Sequence, residues 1–404
     1  MKSIYYAVKV KINSWMDVII RFSNIQRTKA APISNTYFRN LVFGIFSFIG
    51  NAASLVQQFP RMEVFEIQHA YGKFIFLGFG KGEILIFMRH FDQSISDVSP
   101  NYIGKWNLFS LPKLVDHYLN NGYDMVVFQV SPLYPFRFRA RYQLLSQVVV
   151  EQVAYLPDSV ETLLKGGNYR EMRRLLNRAQ REGITYRFSQ QKKDFDLFYY
   201  QMYKPYVQDR HGIFVEVISY ELLWKEFQQG GLLMIYKEDQ EIAASLVQSF
   251  GDFGIGFAGG VLETRSDFIP KKIFPLLVLF SLDWAINNGI KRFNMGNSYA
   301  YRNNGVFRFK NSFRPVVESQ YRFNLPIRMI LMNQPTKDLE QALNTAGLIL
   351  RHNTNLYGVM LTDLVDGHDE TFYRDALEKA SNDGLAGLAI VAPNQQKFIR
   401  SIQL

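Results

Sequence analysis

From residue 62 onward, short apolar runs alternate with longer segments of helical periodicity, and this alternation limits the chain to an α/β or α+β arrangement. Residues 73–77 and 83–88 are apolar runs either side of Gly78-Phe79-Gly80, a spacing that predicts a hairpin. A helix is expected over 111–121. Strands of the buried type follow at 123–130 and 148–156, the second stopped by Pro157. Asp158 or Ser159 then offers a helix cap, followed by a basic helix over 168–182 and further helices over 195–210 and 220–229. Residues 232–236 and 242–250 form a hairpin pattern around Glu238-Asp239-Gln240, and 254–262 continues the sheet. A long apolar helix over 274–288 stops at Gly289, before a strand at 290–295. Past residue 325 come a helix (338–350), a strand (357–363), a helix (370–382) and a strand (385–392). The order of helices, antiparallel strands, helix and strand occurs twice in outline, once truncated. The domains expected are an N-terminal segment 1–61, a first unit 62–157, a second unit 158–327 and a small α/β appendage 328–404.

Composition excludes several classes of function. With 48% hydrophobic and 20% charged residues, the 404-residue chain is neither disordered, collagen-like nor polytopic in a membrane. It has no cysteine, so disulfide scaffolds, zinc fingers, iron–sulfur clusters and cysteine nucleophiles are ruled out. His69, His90, His117, His211, His352 and His368 stand singly, without HxH or HExxH spacing, and no metal site is expected. Forty-six Lys+Arg against 36 Asp+Glu leave +10, a charge that attracts phosphates on nucleic acid, acidic lipid or a phosphorylated cofactor. Lys9 and Lys11 interrupt the N-terminal apolar residues before a signal-peptide core forms, which points to a cytoplasmic protein. No charge lies between Arg39 and Arg61. Asn51, Ser54, Gln57 and Gln58 make that stretch too polar for a good span. A buried helix or one lying in the headgroup region, with Arg21, Arg27, Lys29 and Arg39 upstream, are the alternatives.

Three segments carry candidate chemistry. At about 100° per residue, Arg170, Arg173, Arg174, Arg178 and Arg181 share one arc of the 168–182 helix, opposite Met172, Leu175, Leu176 and Ala179. That arc is either a solvated face or a surface for phosphate, RNA or an acidic glycan. Next, the loop TRSDFIPKKI sets Arg265, Lys271 and Lys272 at the start of an apolar helix, where free N–H groups favour anions. Solvated lysines at a helix start are the plain alternative. The third segment, 290–314, reads as a strand, a Gly/Asn/Ser loop and then GVFRFK, with Tyr299, Tyr301, Arg308 and Lys310 in quick succession.

Residues 158–325 resemble the FemAB-like branch of the GNAT acyltransferase superfamily. The resemblance runs through NYREMRRLLNRAQREGI, the hairpin in GGLLMIYKEDQEIAASLV, the Pro-containing loop into the helix ending at Gly289, then FNMGNS and GVFRFK before Pro315. Where the family often carries Phe-Gly-Arg-Ser, this chain has Met295-Gly296-Asn297-Ser298, without the arginine. The resemblance implies tandem GNAT-like mixed-sheet units, with 62–157 as the first. It also implies acyl transfer to an amine or hydroxyl of a cell-envelope or polysaccharide precursor. The donor is then acyl-CoA or, as in FemAB relatives, aminoacyl-tRNA, and no metal takes part. The family's Phe-Lys pair lies at the donor's reacting end and falls here on Phe309 and Lys310. The Lys310 ammonium would stabilise the oxyanion, and Tyr299 and Tyr301 would either donate a proton to the leaving group or stack on a sugar or base. Arg265, Lys271, Lys272 and Arg308 would hold the phosphorylated donor, and Arg170, Arg174, Arg178 and Arg181 the substrate. Glu263, Asp209 and His211 are the candidate bases. The membrane's inner face is the expected location if the protein is peripheral. A catalytically inactive RNA-binding or scaffold protein on the same fold remains the contrasting reading.

Overall fold

The computed structural model describes residues 62–89, 99–107, 110–130, 138–165, 169–211, 217–262, 270–319, 327–353, 355–363 and 370–399. The uncharged stretch before Arg61, and with it the question of lipid contact, lies outside these residues. Among the described residues, no helix is long and apolar enough to cross a membrane.

Among the described residues, in chain order, the first elements are β1 (Met62–His69), β2 (Gly72–Leu77), α1 (Lys81–Arg89), β3 (Asn101–Trp106), α2 (Leu111–Asn120), β4 (Met125–Val130), β5 (Tyr142–Gln147) and β6 (Val149–Tyr155). There follow α3 (Val160–Leu163), α4 (Arg170–Arg181), β7 (Thr185–Ser189) and α5 (Lys192–Leu197). The last continues through a π-helical stretch, Phe198–Tyr203, into α6 (Lys204–His211). Next are α7 (Tyr220–Phe227), β8 (Gly231–Lys237), β9 (Gln240–Phe250), β10 (Phe253–Val261), α8 (Pro270–Asn287), β11 (Arg292–Tyr299) and α9 (Gly305–Asn311). The chain closes with β12 (Val316–Ser319), β13 (Ile327–Met332), α10 (Lys337–Ala346), β14 (Ile349–His352), β15 (Asn355–Leu361), α11 (Glu370–Asn382), β16 (Leu388–Ala392) and β17 (Gln395–Ile399). The fold is α+β with two mixed sheets, which among the described residues have ten strands in the order β17-β16-β15-β14-β5-β13-β4-β2-β1-β3 and seven in the order β12-β6-β11-β10-β9-β8-β7.

The chain forms two compact units. One comprises residues up to Glu151 together with those from Asn297 on, and the other is Gln152–Gly296. These boundaries differ from those expected at 157/158 and 327/328. Residues past 327 are no appendage, because β13 inserts between β5 and β4, antiparallel to both, and β14–β17 extend the same sheet. Such long-range pairing leaves no trace in local periodicity.

In the first unit, β4 is buried on both faces, which is why its run MVVFQV shows no alternation. Met125 and Val127 join a core with Phe74, Phe76, Ile84, Phe87, Ile330 and Met332, under α1 and α10. Val126 and Phe128 join the opposite core with Leu114, Val115 and Leu331, under α2. The hairpin expected at 73–88 is a strand and a helix instead. Ile84, Phe87 and Met88 are buried at helical spacing in α1, and β2 pairs antiparallel with β1. A five-residue apolar run fits either period, and here the helix wins.

In the second unit, β7 to β10 form an antiparallel meander. Glu238 and Asp239 both adopt positive φ in the β8–β9 turn, the backbone that lets a two-residue loop match the strand twist. The buried residues of α5, the π-helical stretch and α7 pack on β8 and β9 through Phe195, Phe198, Met202, Leu223, Leu232 and Met234. After α8, β11 joins β10 in parallel over only three residue pairs, Phe253–Arg292 to Ile255–Asn294. Beyond them β10 continues to Val261 paired with β9, with a register shift between Gly256 and Ala258.

Candidate functional site

The GVFRFK segment folds as α9, a two-turn helix. Its start is fixed by Asn304, whose Oδ1 accepts from the N–H groups of Val306 and Phe307 at 3.0 and 3.1 Å. Phe307 anchors it in a core with Val150, Ala300, Val317, Ile349 and Leu385. This puts Lys310, three residues on, against the same interior.

Lys310 is only 9% exposed. Its Nζ donates to the Asn297 carbonyl at 2.7 Å. Burial pushes the ammonium down to about 7, while the charge of Glu151, 2% exposed on β6, acts in the opposite direction. A lysine in this state is present as both amine and ammonium near neutral pH. One of the ammonium's three donors is committed to Asn297, which leaves two for an incoming acceptor.

The backbone around Lys310 is held from several directions. The Met295-Gly296-Asn297-Ser298 stretch, expected as a loop, lies within β11. Gly296 has a φ of +82°, and its N–H donates to Asn294 Oδ1 at 2.8 Å. On the other side of α9, Arg302 Nε pairs with Asp383 Oδ2 at 2.5 Å in a largely buried ion pair. Asn311 Nδ2 donates to Asp383 Oδ1 at 2.7 Å, and Val317 N–H donates to the Gly384 carbonyl. The Arg302 N–H donates to the Gly347 carbonyl, so residues past 327 clamp both ends of α9.

The other expected residues fall in varied surroundings. Phe309 is half-buried and meets Phe313 edge-on at 5.8 Å, and Arg308 is exposed on the same helix. Tyr301 is fully buried in the core beside Phe87. It accepts from Arg328 Nη1 at 2.8 Å, and burial raises its phenol to about 12. Tyr299 is half-buried against the same cluster, its phenol likewise raised by burial. These four residues and Lys310 belong to one unit.

In the second unit, α4 buries Leu175 and Ala179 and exposes Arg170, Arg174, Arg178 and Arg181. Arg178 pairs with Glu182, and Arg173 donates to the Leu164 carbonyl. Among the described residues, Arg170 and Arg174 have no acidic partner. Lys271 and Lys272 lie in the first turn of α8, though their side chains are outside the described atoms, as are Glu263, Arg265 and the His211 side chain. Asp209 is exposed on α6. Among the described residues, no three His, Asp or Glu side chains converge as metal ligands would.

Sequence reasoning missed Glu151, Asn304, Arg302 and Asp383. Asn304 was findable as Asn immediately before a short apolar-periodic run. The other three act through contacts between segments far apart in the chain.

No known family and no curated protein matches the sequence. Among solved structures the chain is similar to L-PGS from Bacillus licheniformis, at 14% identity and a TM-score of 0.34, over 72% of this chain and 87% of that one. It is similar to the C-terminal DUF2156 domain of a putative lysylphosphatidylglycerol synthetase from Agrobacterium fabrum, at 12% identity and a TM-score of 0.34, over 72% and 89%. A third similar structure is FemX, at 12% identity and a TM-score of 0.34, over 57% and 77%.

Proposed function

We propose that the chain is an acyltransferase that moves an acyl group from a phosphorylated carrier to an amine or hydroxyl of a cell-envelope or polysaccharide precursor, at the cytoplasmic face of the membrane. The observation that carries this reading is Lys310. It is a buried lysine brought to about 7, held on a capped helix, in the Phe-Lys pair that the family resemblance assigns to the donor's reacting end. When the acceptor attacks the donor carbonyl, negative charge develops on the carbonyl oxygen, and an ammonium with uncommitted donors stabilises it. Direct attack by the acceptor passes through no acyl-enzyme, which agrees with a chain that has no cysteine nucleophile.

Acyl-CoA is the leading donor. The exposed arginines of α4 favour a second donor, aminoacyl-tRNA, because Arg170 and Arg174, which have no acidic partner among the described residues, would present their guanidinium groups to a phosphate backbone. One experiment tests the site and separates the donors. Transfer to a panel of amines and sugar precursors is measured with acetyl-CoA and with aminoacyl-tRNA, for the wild type and Lys310→Ala. We expect turnover in the folded variant to fall by about two orders of magnitude or more, the scale of losing one oxyanion donor. Turnover close to wild type in folded Lys310→Ala overturns the assignment. Activity with tRNA that falls steeply with added salt selects that donor.

A further inference from the structure

Two buried donors on one face of the ten-stranded sheet lack an acceptor. Gln129 of β4 and Arg328 of β13 are register partners in an antiparallel pair, so their side chains leave the sheet side by side. Val127 and Ile330, the pair two residues along, mark this face as the one under α1. Gln129 is 8% and Arg328 3% exposed. Arg328 gives its Nη1 to Tyr301 Oη, and its guanidinium carbon lies 4.8 Å from the Phe87 ring centre, 5.7 Å from Tyr301 and 5.9 Å from Phe79. Arg328 Nε and Gln129 Nε2 make no hydrogen bond.

Among the described residues, no carboxylate is within ion-pair distance of Arg328. Glu83, on the facing helix, is exposed, and its Oε2 accepts from Gly80 N–H at 2.8 Å. A buried guanidinium without a counter-charge is strongly unfavourable, and each orphaned donor adds to the cost. Rings around the guanidinium compensate only in part.

The surrounding backbone suits a ligand. β2 and β4 are parallel neighbours, so their carboxyl ends lie at the same edge. At the end of β2 the chain turns through Gly78, φ +77°, where a Cβ would meet Met62 Sδ at 3.3 Å and the Gln129 carbonyl oxygen at 3.8 Å. It then enters α1 by way of Phe79 and Gly80.

We propose that Gln129 and Arg328 form a binding site for an oxyanion of a small ligand, a carboxylate or phosphate group, beneath the start of α1 and walled by Phe79, Phe87 and Tyr301. One ligand oxygen accepts from Arg328 Nε and another from Gln129 Nε2, completing both donors. The inference does not rest on acyl transfer or on Lys310, although Tyr301, expected above as a proton donor, forms one wall of this site.

Arginine-Nε NMR of the full-length protein reads the site directly, with the Arg328 resonance assigned by its loss in Arg328→Lys. Inorganic phosphate and acetate are titrated separately at an ionic strength held constant with chloride. At least one anion is expected to shift the Arg328 Nε–H signal saturably, and Gln129→Leu, which keeps the site's volume, to weaken that anion about fivefold or more. A response to phosphate alone identifies a phosphate site, a response to acetate alone a carboxylate site, and a response to both a general oxyanion site. No saturable shift with either anion, or unchanged affinity in folded Gln129→Leu, overturns the proposal.

Discussion

With its Nζ on the Asn297 carbonyl and its ammonium brought to about 7 by burial, Lys310 changes charge close to neutral pH. Two consequences follow from the sign of that shift. If the ammonium is the working form, kcat/KM falls as pH rises through about 7, and Lys310→Arg, cationic throughout, lacks that limb. A pH–rate profile checks this, and an activity that rises through the same range instead makes the neutral amine the working form. For stability, the unfolded lysine titrates near 10.5, so between about 7 and 10.5 the unfolded chain binds more protons than the folded one. Burial of Lys310 therefore costs stability most below about 7, and the cost is relieved as pH rises. Relative to Lys310→Met, the wild type gains stability across that window in urea titrations at successive pH values. At this scale the sequence singles out Lys310 as a candidate, because its Phe-Lys context is local. The depression of its pKa was not legible there, because it depends on the interior built by Val150, Phe307 and Ile349.

At the scale of elements, α9 is too short to hold its own place. Isolated helices of two turns are marginal, and tertiary anchors supply what propensity does not. Its anchors are Phe307 in the core, the Asn304 cap, and the Arg302–Asp383–Asn311 cluster that fastens it to the end of α11. Neutralising Asp383 leaves Arg302 largely buried without its counter-charge. Asp383→Asn is thus expected to cost about 3 kcal/mol, read as a lower midpoint in urea unfolding with an unchanged slope. A midpoint equal to wild type would show that the cluster contributes no stability. The same contrast explains what the sequence pattern captured. Elements with strong internal signals were placed within a few residues, among them α4 with its buried Leu175 and Ala179 and the β8–β9 hairpin. The 83–88 run was misread because five consecutive apolar residues after Glu83 satisfy a strand as well as a helix, and only burial of Ile84, Phe87 and Met88 on one side decides.

For the whole molecule, the sheet order changes what the last eighty residues do. Read locally, 328–404 is a self-contained α/β piece. In the structure, β13 to β17 are five of the ten strands of one sheet, and β13 lies between β4 and β5. The same residues supply Ile330, Met332, Leu343, Leu350 and Tyr357 to the main core, and Asp383 to the α9 clamp. A chain ending at residue 326 would expose unpaired edges on β4 and β5 and open the core under α1. Exposed, apolar strand edges of this kind favour aggregation. Such a truncated chain is expected to lose cooperative unfolding in the first unit and to aggregate. Gln152–Gly296 is continuous in sequence and holds its own core between β8, β9 and α5 to α7, so in the truncated chain this core is expected to keep its protection against hydrogen exchange while the first unit loses it. A soluble truncated chain that unfolds in one sharp transition would mean that the first unit closes without β13, and the sheet order would then be wrong where it matters most.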